Sequence, residues 1–171
     1  MTTKNNDNVN HPVHYSQHPS GIECIEIKRH LPSNLGDTFK YIFRSGQKGD
    51  DEKHEEDIGK AIWYLNDEAK EKYTLNECGH PLAIKKRNII IATIRFILRL
   101  SSEKAIANRD IIDKLDKIID FEMDQSKKCV MRLFEIYISN PSPENMTFLM
   151  LGLGKYKELV HLGIVEKRDN I

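Results

Sequence analysis

The sequence predicts an all-α protein: a compact multi-helix domain with an extended N-terminal arm. Three observations carry that expectation. Apolar residues recur three and four apart, most plainly at Ile111, Ile112, Leu115, Ile118 and Ile119, and that spacing places them on one stripe of a helix. Proline and glycine clusters separate such windows, at Pro32, at Gly79 to Pro81 and at Pro141 to Pro143. The apolar run from Asn88 to Leu100 is long for a strand and holds Arg95 and Arg99 at helical spacing, so helix is the reading there too.

At 171 residues the chain is long enough for one domain with a real core and a small appended subdomain. Lys and Arg number 26, as do Asp and Glu, so there is no basic excess of the kind a polyanion binder shows. Polymeric nucleic acid is therefore not an expected partner, and any anion site must be local. A charged fraction of 30% and a mean hydropathy of −0.54 fit a soluble helical protein. The Asn88–Leu100 run is too short and too charged to span a bilayer, and the first ten residues lack the apolar core of a signal peptide. Cys24, Cys78 and Cys129 are odd in number and far apart, which argues against a disulfide framework. A reducing, cytoplasmic setting and no membrane partner are expected.

Taken in order, residues 1–10 form a disordered leader, rich in Asn and poor in apolar side chains. The segment from His11 to Gly21 holds two prolines, three histidines and Tyr15, and is expected to lie extended over a surface. No Cys or His pair stands nearby at ligand spacing, so no metal site is assigned. A short amphipathic helix follows from Ile22 to Leu31, with Ile22, Ile25 and Leu31 as its apolar side and Pro32 as its stop. Ser33 is placed to cap the next helix, which buries Leu35, Phe39, Ile42 and Phe43 and ends near Gly46. A long helix is expected from Asp51 to Lys72, acidic at its start, with Ile58, Ala61, Ile62 and Leu65 inward. After a break at Glu77–Pro81 and a cap near Ser101, helical pattern runs from Asp110 through Phe121 and on through Val130, Leu133, Phe134 and Tyr137. Asn140–Glu144 is a stop and restart with Pro143 at a first helical position, and two short helical pieces around Gly152 and Gly154 finish the chain.

The chemistry concentrates between residues 36 and 65. Lys40, Arg44 and Lys48 fall four apart, so Lys40 and Arg44 share a helix face beside Tyr41, with Gly46 and Gly49 close behind. Cations, a ring and a glycine-flanked turn suit a ligand carrying phosphates and a base; the same row also suits a solvated basic edge ending in a glycine cap. The Gly152-Leu153-Gly154-Lys155-Tyr156 stretch imitates a phosphate loop but lacks its first glycine and its hydroxyl residue. Glu23 with Glu26, and Asp51, His54 and Asp57, fall at spacings that could hold Mg²⁺. Cys24 lies beside Glu23 and Glu26, whose charge would raise a thiol pKa. Trp63 and Tyr64 are assigned to core or interface, as rings usually are.

Four blocks give residues 11–65 a resemblance. His14-Tyr15, Ile22-Glu23, the Lys40–Gly49 run and Glu56-Asp57-Ile58-Gly59-Lys60-Ala61-Ile62-Trp63-Tyr64-Leu65 look like the small phage-encoded nucleotide kinase family. Two departures are Asp37, where that family carries Asn, and Gly59, which weakens a helix. The resemblance implies phosphoryl transfer to deoxynucleoside monophosphates from a nucleoside triphosphate such as ATP, with Mg²⁺ left open. It implies Arg44, Lys40 and Asp57 as catalytic residues, and His14, Tyr15, Glu23, Lys40, Tyr41, Arg44, Lys48 and Lys60 as ligand contacts. On that view residues 11–75 are the kinase-like core and 76–171 a helical extension packed on it. Two other functions use the same residues: a protein that only sequesters a nucleotide signal of host defence, and a Mg²⁺-dependent helical pyrophosphohydrolase leaning on Glu23, Glu26 and Asp57. The apolar stripe from Ile111 to Ile119, together with Trp63, points to a homo-oligomer.

Overall fold

The periodicity becomes six helices and no strand among the described residues, 18–47, 51–73 and 105–164, of a computed structural model. These are α1 (Cys24–Lys28), α2 (Ser33–Arg44), α3 (Asp51–Lys72), α4 (Arg109–Phe121), α5 (Gln125–Ser139) and α6 (Pro143–His161). The all-α expectation holds. The leader, His14, Tyr15, Lys48, the Glu77–Pro81 break, the Asn88–Leu100 run and the cap near Ser101 lie outside the described residues.

Helices α2 and α3 form an antiparallel hairpin in strict register. Asn34 Nδ2 donates to Asp67 Oδ2 at 3.1 Å, Lys60 lies over the Tyr41 ring, and Arg44 meets Asp57. One side of the hairpin is apolar: Leu35, Phe39, Ile42 and Phe43 from α2 are buried, as are Ile58, Ala61 and Leu65 from α3. This side receives α6 on α3 and α5 on α2, while α4 packs on α5 and touches α1. The Phe39 ring lies 5.7 Å from both Phe43 and Phe134, so one core joins the N-terminal hairpin to the C-terminal helices. No helix among the described residues is long and apolar enough to cross a membrane.

Several local expectations are corrected. Helix α1 spans only Cys24–Lys28 and buries Cys24 and Ile27, leaving Ile25 exposed; the turn after it runs through the backbone bond from Leu31 N to Lys28 O. Ser33 is the first residue of α2 rather than its cap, which is Pro32. Past Arg44 the chain turns through Gly46 at φ +73°, a left-handed conformation that favours glycine. The pattern from Asp110 to Tyr137 is two helices. Glu122 is extended, and Asp124 caps α5 by accepting from the Ser126 and Lys127 backbone N–H groups. Ile111, Leu115, Ile118 and Ile119 of the stripe are buried within the chain, and Ile112 is half-buried.

The last two helical pieces are a single helix, α6, running through both glycines. Gly152 is there for space, because an added Cβ would lie 2.5 Å from Leu133 Cδ1. Gly154 meets nothing within 4 Å. Gly154→Ala is therefore expected to raise stability by up to about 1 kcal/mol, the difference in helix propensity. Gly152→Ala should give a lower melting temperature than Gly154→Ala, because Leu133 must move. Equal gains in thermal melts would show that Leu133 is not constrained.

Candidate ligand face on the α2–α3 hairpin

The outer side of the hairpin follows from the same register that builds its inner side. Residues three and four apart on α2 present Asp37, Lys40, Tyr41 and Arg44, and the matching positions of α3 present Asp57, Lys60 and Tyr64. Tyr41 is the centre. Its ring stacks on Tyr64 at 5.8 Å and 16°, with Lys40 Nζ at 4.2 Å, Arg44 Cζ at 5.0 Å and Lys60 Nζ at 5.6 Å from its centroid. Trp63 stands edge-on to Tyr64 at 4.9 Å and is 62% exposed. Of the two places expected for Trp63, core or interface, its exposure excludes the core. On α3 it lies two residues from both Ala61 and Leu65, about 200° around the helix from each, which points it away from the buried stripe.

Each cation meets a carboxylate. Asp37 Oδ1 accepts from Lys28 at 2.8 Å and from Lys40 at 2.6 Å. Arg44 forms a two-point pair with Asp57, its Nε donating to Oδ2 at 2.8 Å and its Nη2 to Oδ1. Glu56 takes Lys60 at 2.6 Å and Lys53 at 3.1 Å. The three cations over the Tyr41 ring, Lys40, Arg44 and Lys60, are thus paired with Asp37, Asp57 and Glu56 in turn. The exposed Glu56 carboxyl is held down to about 2 by the Lys60 and then the Lys53 hydrogen bonds. Burial pushes Asp37 upward, but the hydrogen bonds from Lys28 and Lys40 outweigh it and hold the group below its ordinary value.

That lowered Asp37 value sets a pH dependence. A carboxylate whose folded pKa is depressed stabilises the fold above its unfolded value and loses that contribution as pH falls through the folded one. Wild type is expected to melt above Asp37→Asn at pH 6, with the gap closing once the pH falls below the ordinary value of 3.8. A gap that stays constant in melts down to pH 2 would show that the charge on Asp37 contributes nothing.

The remaining candidates are distributed as follows. The structure brings together Lys40, Tyr41, Arg44, Asp57 and Lys60. Glu23 stands instead at the cap of α1, in a reciprocal capping box where Glu26 Oε1 accepts from the Glu23 N–H at 3.0 Å. Glu26 also meets Lys114 of α4 at 3.4 Å. The acids of the magnesium reading are therefore engaged in two places, Glu23 with Glu26 at the start of α1 and Asp57 with Arg44. Among the described residues no group of three or more His, Cys, Asp or Glu converges to hold a metal. Cys24 does have a raised pKa, about 12, but burial causes it; the charges that act next are Lys28, Lys40 and Arg44, which oppose it. The thiol is inert.

The sequence reading missed the groups behind this face. Lys127 of α5 is 2% exposed and reaches across to the end of α2, where it donates to Phe43 O and Ser45 O at 2.9 Å each and pairs with Glu122 at 3.1 Å. Nothing in the sequence separates this lysine from a solvated one, since the two carbonyls it holds lie more than 80 positions away and are backbone atoms. Tyr156 of α6 is buried and donates its O–H to Asp124 Oδ2 at 2.8 Å, with His54 Nε2 2.9 Å from the same oxygen. Burial, reinforced by the Asp124 charge, pushes the Tyr156 pKa up and keeps it a donor.

No curated protein and no solved structure matches the chain. Residues 9–66 are similar to a family described as a protein of unknown function (DUF3310). This corrects the kinase resemblance: the blocks between His14 and Leu65 fall in the stretch similar to that family, which has no assigned activity, and nothing ties it to nucleotide kinases. Helices α4 to α6 lie beyond the matched stretch.

Proposed function

We propose that this chain binds a nucleotide on the outer face of the α2–α3 hairpin, with the base against the Trp63–Tyr64 edge and the phosphate among Lys40, Lys60 and Arg44. The observation that carries the reading is a half-buried tyrosine, Tyr41, surrounded by three cations and continued outward by exposed aromatic surface. Base stacking on an aromatic ring contributes about 1–3 kcal/mol and needs no particular base. A phosphate can take the place of Glu56 at Lys60, because an exposed ion pair holds its partners weakly. Charge-assisted hydrogen bonds from Lys40 and Lys60 to a phosphate favour the monophosphate over the neutral nucleoside. Capture is better supported than phosphoryl transfer. Arg44 and Asp57 neutralise each other and Asp37 holds Lys40, so each of the three residues named as catalytic is engaged in an ion pair rather than aimed at a reacting group.

Trp63 is the sole tryptophan, so its emission reports this face directly. Saturable quenching is expected with deoxynucleoside monophosphates, and weaker responses with the nucleosides or with inorganic phosphate. Lys60→Ala should weaken the monophosphates by roughly fivefold, the equivalent of losing about 1 kcal/mol of charge-assisted contact. Emission unmoved by any nucleotide would end the reading. Diphosphate formation in phosphorus NMR with ATP and Mg²⁺ would replace capture with catalysis.

A further inference from the structure

We infer that Lys127 is a positioning residue for the nucleotide face, and that the C-terminal helices act on that face through it; the inference rests on the nucleotide reading above. The carbonyls that Lys127 holds, Phe43 O and Ser45 O, lie on either side of Arg44 in the chain. They belong to the end of α2, where carbonyls lack helical partners and the helix dipole is negative. One buried ammonium therefore fixes the backbone before and after Arg44. With that backbone held, the guanidinium reaches both Asp57 oxygens beneath Tyr41.

The ammonium is itself held. Glu122, 3% exposed, meets it at 3.1 Å while its other oxygen accepts from the Met123 and Asp124 backbone N–H groups at 2.9 and 3.2 Å. Asp124 accepts from Lys127 N at 3.1 Å and from the Tyr156 hydroxyl. Because that hydroxyl proton goes to Asp124, His54 Nε2 is the donor to the Tyr156 oxygen. The His54 ring in turn underlies Gly46, where an added Cβ would sit 3.3 Å from it. The turn after Arg44 is thus gripped from α5 by Lys127 and from α6 through Tyr156 and His54. Stability alone is a poor reason for a buried ion pair, since apolar side chains of similar volume often serve as well or better. What they cannot supply is a donor to two carbonyls flanking the arginine.

The test compares the full chain with Lys127→Met/Glu122→Gln, which removes both buried charges together, using deoxyadenosine monophosphate as ligand. Three readouts are taken: the thermal melt, Trp63 quenching, and the Arg44 Nε–H resonance that reports the Asp57 pair. The double variant is expected to stay folded, to bind at least tenfold more weakly, and to show the Arg44 signal broadened or shifted toward that of an exposed arginine. If it binds like wild type with the Arg44 signal unchanged, Lys127 only fills the core and the inference fails. If wild type does not bind but the Arg44 signal is lost in the variant, the positioning role stands and the nucleotide reading falls. Should the double variant not fold, Lys127→Gln keeps an amide donor but removes the charge, and is judged by the same readouts.

Discussion

Asp57→Ala is expected to lower stability by about 3–5 kcal/mol, the range for removing one partner of a buried ion pair. The side chains of Asp57 and Arg44 are 5% and 15% exposed, so the guanidinium left behind has little access to water. Two donors would be abandoned together. Replacing both partners, as in Arg44→Met/Asp57→Leu, should recover much of the loss, because no charge is then left buried. Urea unfolding of the two single variants and the double variant measures the coupling directly. Additive losses would mean that solvent reaches the pair and that it contributes as weakly as a surface bridge. The cycle also bears on binding studies: Arg44→Ala strands Asp57, so a lost ligand signal in that variant must be read on its folded fraction.

The parts of this architecture that depend on local pattern were legible. Acids at Asp51 and Glu52, the Ile58–Ala61–Leu65 spacing and basic Lys70 and Lys72 define α3 without any knowledge of its neighbours. The same is true of the α2 stripe and of Lys40 and Arg44 sharing a face. For Trp63 the core half of the expectation failed because the identity of a large ring was weighed above its place outside the Ile58–Ala61–Leu65 stripe. The α4–α5 break was hidden because Asp124 caps a helix whose apolar period continues almost in phase with the one before it. Helix α6 was hidden for the opposite reason. Two glycines suggested ends, yet one meets Leu133 and the other is simply tolerated, since packing on α3 and α5 outweighs a propensity loss of about 1 kcal/mol each. Lys127, Glu122 and Tyr156 could not be found by spacing at all. Their partners are carbonyls and side chains brought near by tertiary packing, and a buried lysine has no one-dimensional signature.

Phe39→Ala tests whether the hairpin and the C-terminal helices are one cooperative unit. Phe39 is fully buried, and its ring touches Phe43 on its own helix and Phe134 on α5. Truncation removes the apolar area and leaves a cavity between α2 and α5, with an expected loss of about 3–5 kcal/mol. The loss should fall on a single unfolding transition, because the cavity lies where the two parts share their core. Trp63 emission follows α3, and far-ultraviolet circular dichroism follows the helical content as a whole. Coincident midpoints in urea, shifted together in Phe39→Ala, are the expected outcome. If the two probes separate in the variant, the hairpin and α4–α6 unfold independently once the Phe39–Phe134 contact is gone. The Lys127 bonds to Phe43 O and Ser45 O would then be too weak to hold the nucleotide face in register by themselves, and the C-terminal helices would influence that face only through the shared aromatic core.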